Sequence, residues 1–99
     1  MPISVVHYNP TVDPSTSTQL LAANNARRYI AVLNTTGAAI MINLSGETLT
    51  GITPTSTNKG VVINNGSFFQ TALMQPSSAI TCYHTGASAT NAIAVLEGI

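Results

Sequence analysis

"STQLLAANNARRYIAVLNTTGAAIMINLSG", from Ser17 to Gly46, decides how this chain folds. Its apolar residues come in short runs, each closed by a turn-forming cluster. Asn24-Asn25 follows the run Thr18–Leu21, and Thr35-Thr36-Gly37 follows the run that ends at Asn34. Ala22, Ala23 and Ala26 favour helix, but adjacent asparagines make a poor helix interior and a good turn. The reading is strand, turn, strand. In an extended Arg27–Asn34 segment, Tyr29, Ala31 and Leu33 share one face while Arg28, Ile30 and Val32 share the other. Apolar residues on both faces predict a central strand covered on both sides. The Thr-Thr-Gly turn then predicts that "AIMINL" (Ala39 to Leu44) returns as the second arm of a hairpin.

Further out, "ISVVHY" (Ile3 to Tyr8) is a β-branched run that stops at Asn9-Pro10, and "TVDPSTS" reads as a connector. The Gly-, Thr- and Ser-rich stretch from Ser45 to Lys59 is the longest loop candidate. Asn64-Asn65-Gly66 stands between "GVVI" and "SFFQT"; Asn-Gly is a strong hairpin signal, because a type I′ turn needs positive φ at both central residues. "AITCYHT" is expected to pair with "NAIAVLE" across "GASAT". Seven to eight short strands with turn signals between them predict an all-β fold, a single antiparallel β-sandwich or jelly-roll-like barrel. The sandwich is expected over residues 15–99, preceded by an extended N-terminal arm over residues 1–14.

The 99 residues suit one domain. Charged residues make up 6% of the chain, against about 25% in ordinary globular proteins, and the charges cancel. Threonine, serine and asparagine supply the polarity. A neutral surface gives little protection against association, which suits a protein whose surface is occupied by partners. No basic patch is present to neutralise phosphates, so no nucleic-acid partner is expected. No apolar run approaches the ~18 residues of a membrane span, so no membrane partner is expected either. The N-terminal "MPISVVHYNP" lacks the charged and apolar regions of a signal peptide, and the expected site of synthesis is a cytoplasm.

Catalytic chemistry finds few candidates. Bases are limited to His7 and His84, and carboxylates to Asp13, Glu47 and Glu97. Cys82 and His84 share a strand face at a spacing of two, which makes a nucleophilic pair conceivable; a small buried hydrophobe is the plainer account of Cys82. Structural zinc wants four Cys or His ligands, and the chain has three. No phosphate-binding glycine motif occurs. The expectation is a non-enzyme without cofactor or metal. The N-x-[ST] sequons at Asn34, Asn43 and Asn65 are what chance gives an Asn- and Thr-rich chain.

Two places are candidates for gripping a partner. Arg27 and Arg28 would point to opposite faces of a strand: either one is solvated at the strand start while the other has a local partner, or at least one anchors an intersubunit contact. Glu47 and Glu97 are the candidate counter-ions, within the subunit or across an interface. The second place is the arm, with Ile3, Val5, Val6 and Tyr8: either the first strand of the sandwich or a strand added to a neighbouring subunit's sheet edge.

The opening stretch also resembles a segment of small structural proteins of tailed bacteriophages. That segment has a Gln-Leu-Leu-like strand, "AAN", a basic pair, an apolar strand ending in Asn, a glycine turn and a further apolar strand. The C-terminal "AIAVLEG" is similar to the V-x-V-x-E-G ending of such chains. The likeness covers less than half of the chain; the segment before Thr16 and the loop from Ser45 to Lys59 lie outside it. It implies a small β-sandwich in a virion: a capsid decoration (cement) protein, a homotrimer bound to the major capsid protein on the capsid surface after a stay in the host cytoplasm. The alternative it implies is a tail, collar or head-fibre domain that binds a host-surface glycan or another virion protein.

Overall fold

The structure is a computed structural model that describes residues 4–12, 15–71, 76–85 and 91–99, and every regular element among them is a β-strand. In chain order these are β1 (Val5–Tyr8), β2 (Thr11–Val12), β3 (Ser17–Leu21), β4 (Tyr29–Leu33), β5 (Ile40–Asn43), β6 (Val61–Ile63), β7 (Phe68–Gln70), β8 (Ile80–His84), β9 (Asn91–Ala92) and β10 (Ala94–Gly98). They build two four-stranded sheets, ordered β1-β10-β4-β7 and β3-β8-β5-β6, with β2-β9 as a short additional pair. All pairings are antiparallel.

The pairings are nested. β1 and β2 pair with β10 and β9, β3 with β8, β4 with β7, and β5 with β6. A long hairpin rolled up in this way, with β10 then joining β4 and β8 joining β5, is the eight-strand jelly roll. The expected all-β sandwich is the observed architecture.

Alternation fills the space between the sheets. Ile30, Val32 and Val95 project inward from the first sheet; Ile40, Ile42, Ile80, Cys82 and Ile63 project inward from the second. Burying each such aliphatic side chain contributes about 1.5–3 kcal/mol relative to leaving it in water. The register between β3 and β8 shifts between Gln19 and Leu21. That irregularity lets the adjacent Leu20 and Leu21 both reach the core, which strict alternation forbids. The run Thr18–Leu21 is therefore a strand, and Asn24-Asn25 the turn after it.

Three local pairings expected from the sequence are corrected. β4 and β5 lie in different sheets, as do β6 and β7, and β8 pairs with β3 and β5 rather than with the C-terminal strand. "GASAT" itself lies outside the described residues. The turn chemistry is present at the first two, but those connections cross the gap of about 10 Å between packed sheets instead of closing a hairpin. At Asn64–Ser67 the amide of Ser67 donates to the Asn64 carbonyl, and φ is positive at Gly66 (81°) but not at Asn65. That is the pattern of a type II turn, not the type I′ turn that holds two arms in one sheet.

Asn34 fastens these crossings together. Its side-chain amide donates to the carbonyls of Ala38 and Ile63, and its carboxamide oxygen accepts from Thr36. The second crossing answers through Gly66, whose amide donates to the Asn34 carbonyl.

The long loop folds over the outer face of the second sheet. Asn43 accepts from the amides of Ser45 and Glu47 and donates to the Lys59 carbonyl. Asn58 accepts from Thr50 and donates to Gly51 and Thr53. Leu49 is buried, and Met41, which points outward from β5, is fully covered. A side chain at Gly60 would bring its Cβ within 2.5 Å of the Ile42 carbonyl and 2.6 Å of Met41, so only glycine permits this close approach.

Candidate functional site

Of the two readings the sequence offered for the arginine pair, Arg27 takes the locally partnered one. It lies just before β4 at 2% exposure, and its Nε donates to Glu97 Oε2 at 2.7 Å. The rest of the guanidinium donates to the carbonyls of Pro76, Ser78 and Ala22. Of the two candidate counter-ions, Glu97 is the partner, and it belongs to the same chain. A buried guanidinium must satisfy its fork of donors, and this one does so by tying β10 to two connecting segments. Arg28 is exposed; its amide, not its side chain, joins the sheet by donating to Gly98.

The expected arm splits. Ile3 lies outside the described residues. Val5, Val6 and Tyr8 belong to β1, which pairs with β10 of its own chain from Val5↔Gly98 to Tyr8↔Val95. Val12 is fully buried in the core. Residues 4–12 are thus integrated into the sandwich, the first of the two readings offered by the sequence, and the expected boundary at residue 14 cuts through a strand pair. Tyr8 donates its hydroxyl to Glu97 Oε1 at 3.3 Å, extending the ion pair to the sheet edge. Desolvation, followed by the Glu97 carboxylate, raises the Tyr8 phenol above its ordinary range.

The outer face of the first sheet is the feature sequence reasoning misjudged. β4 is central, flanked by β10 and β7, as expected. Its Ile30 and Val32 face the core, but Tyr29, Ala31 and Leu33 face away from it; Ala31 is buried among its neighbours, Tyr29 is half-buried and Leu33 is exposed. Register aligns Leu96 and Ala31, and Ala94, Leu33 and Phe68, on that same face. Leu33 is 37% exposed, Phe68 56% and Val5 53%. A groove of about 190 Å³ lies beside Leu33 and Phe68, floored by Ala31, Ala94 and Leu96 and bordered on its other side by His7. The signal was present in the sequence: apolar residues on both faces of β4 ask for two covers, and the described residues supply one, the core side.

A second concavity, of about 550 Å³, lies on the outer face of the other sheet, between the long loop and β3-β8. Ser17, Gln19, Thr81 and Tyr83 form its floor, with Thr48 and Thr50 on the loop side. Among the described residues, no charged one lines it. Its loop wall is pinned: Thr81 donates its hydroxyl to the Glu47 carbonyl at 2.6 Å, and the Leu49 amide donates to Ser17 Oγ at 3.1 Å.

Cys82 and His84 do share a strand face, and it is the core face. Both are sealed from solvent, and burial pushes the Cys82 thiol up to about 12. A thiol held protonated behind two sheets is no nucleophile. Asn34 and Asn43, which carry two of the sequons, are buried and spend their carboxamides on the backbone.

Comparison with protein-family models, with curated proteins and with solved structures returns no match to this chain.

Proposed function

We propose that the protein is a non-catalytic structural component of a bacteriophage virion, a capsid decoration protein that binds the outside of the head as a homotrimer and stabilises it. The uncovered apolar face of β1-β10-β4-β7 carries this reading. Leu33, Phe68, Leu96 and Val5 offer an apolar surface whose burial against the major capsid protein removes apolar area from water. The near-absence of charge supports it further, since ion pairs and desolvated charges then oppose docking very little. So does the resemblance of the Ser17–Gly46 stretch to small phage structural proteins. Jelly rolls serve in capsid and lectin domains, an analogy at the level of the fold alone.

Stabilisation in this account is adhesion without turnover: the bound protein bridges neighbouring capsid subunits and raises the pressure the shell withstands. The alternative is a tail, collar or head-fibre domain that binds a host-surface glycan or another virion protein, and it differs in where the copies sit. The test is a binding assay on heads lacking the protein. Wild type sediments with them, and Phe68→Ser with Leu33→Thr does not, although the variant melts like the wild type. Undiminished binding of that variant sinks the reading.

A further inference from the structure

We propose that the groove between the long loop and β3-β8 is a binding site for a neutral saccharide. The chemistry of its walls selects that class. Hydroxyls of Ser17, Thr48, Thr50 and Thr81, the amide of Gln19 and the ring of Tyr83 line it, with no charged group among the lining residues. Phosphates, nucleotides and acidic sugars find no counter-ion there, whereas a polyhydroxyl ligand finds donors and acceptors throughout. Gln19, Thr48, Thr50 and Tyr83 spend no side-chain polar group on another described residue. Those groups are available to a ligand. Tyr83 adds a half-buried aromatic ring, which suits the apolar face of a pyranose.

The wall is built, not incidental. Residues 44–60, between β5 and β6, form a connection without a strand of its own, a length that in compact domains usually serves a function. Side-chain bonds from Asn43, Asn58, Ser17 and Thr81 hold it in one shape. A preformed wall lowers the ordering cost of binding a weak, polar ligand. The groove and the apolar face occupy opposite outer surfaces of the sandwich. Only the direction of display rests on the proposed docking: a copy seated by its apolar face presents the groove to the medium.

The test is a titration of the isotope-labelled full chain with neutral mono- and disaccharides of glucose, galactose, mannose and N-acetylglucosamine, up to roughly 10 mM. Sialyllactose serves as the charged control. At least one neutral probe shifts the amides of Gln19, Thr48, Thr50 and Tyr83 in a saturable way and outcompetes the control. Tyr83→Ala and the exposed Gln19→Ala each weaken that binding about tenfold or more. Phe68→Ser leaves it unchanged, which separates this site from head docking. No shift with any neutral probe, shifts confined to another face, or full binding by folded Gln19→Ala and Tyr83→Ala overturns the proposal.

Discussion

Arg27 Nε and Glu97 Oε2 meet at 2.7 Å across 70 positions of sequence, both sealed inside the sandwich margin. Breaking such a pair by removing one partner strands a charge in the interior, at a cost of about 3–5 kcal/mol. Arg27→Met is therefore expected to unfold most of the way toward marginal stability, as read by urea denaturation. Arg27→Met combined with Glu97→Leu is expected to recover part of the loss. A single variant as stable as the wild type contradicts the account of the pair.

Asn34 clasps the crossing that follows β4 to the end of β6, where the second crossing begins. Asn34→Ala leaves the Ile63 carbonyl without the amide donor it has in the buried crossing. An unpaired buried polar group costs about 1–3 kcal/mol, and a melting temperature lowered accordingly is the expected result. Asn65→Ala, whose side chain accepts only from the exposed Gly37 amide, is expected to cost much less.

Cys82 makes stability fall at alkaline pH. Unfolded, its thiol releases a proton near 9.0; folded, it retains it to about 12. Between those values the unfolded chain binds fewer protons, so stability drops as pH rises, by up to about 1.4 kcal/mol per pH unit. Tyr8, whose phenol is also raised, adds in the same direction above its ordinary value of 10.0. Urea titrations from pH 8 to 11 measure the slope, and Cys82→Ala is expected to flatten it. Equal slopes contradict a proton held by burial. The same burial predicts that a thiol reagent labels Cys82 only after denaturation.

Removal of residues 1–14 tests whether the segment is an arm or a strand. It deletes β1, the partner of β10, and Val12, a fully buried core residue. The truncated chain is expected to be destabilised by several kcal/mol, since Val12 alone accounts for about 1.5–3 kcal/mol. Circular dichroism with urea titration reads this. A truncated chain of wild-type stability restores the dispensable arm.

Much of the sandwich was legible because alternation is local. Ile30 and Val32 announce an inward face within five residues, and Asn24-Asn25 or Asn65-Gly66 announce a turn. Where each turn leads is not local. The same asparagine and glycine signals serve a hairpin or a crossing between sheets, and only the partner strands decide. The site followed the same division. Arg27 looked like a strand start because Glu97, Pro76 and Ser78, which bury it, lie far along the chain. Leu33 and Phe68 come together only through the register of β4 with β7. What the sequence did carry, in β4, was a second apolar face besides the one that meets the core.

The most direct test of the central claim, that this face seats the protein over a capsid shell, is its copy number per virion. Quantitative mass spectrometry against the major capsid protein gives it, and point-group symmetry makes the answer discrete. On the order of hundreds of copies is the predicted result. A number from about three to a few dozen contradicts shell decoration and favours a tail, collar or vertex position.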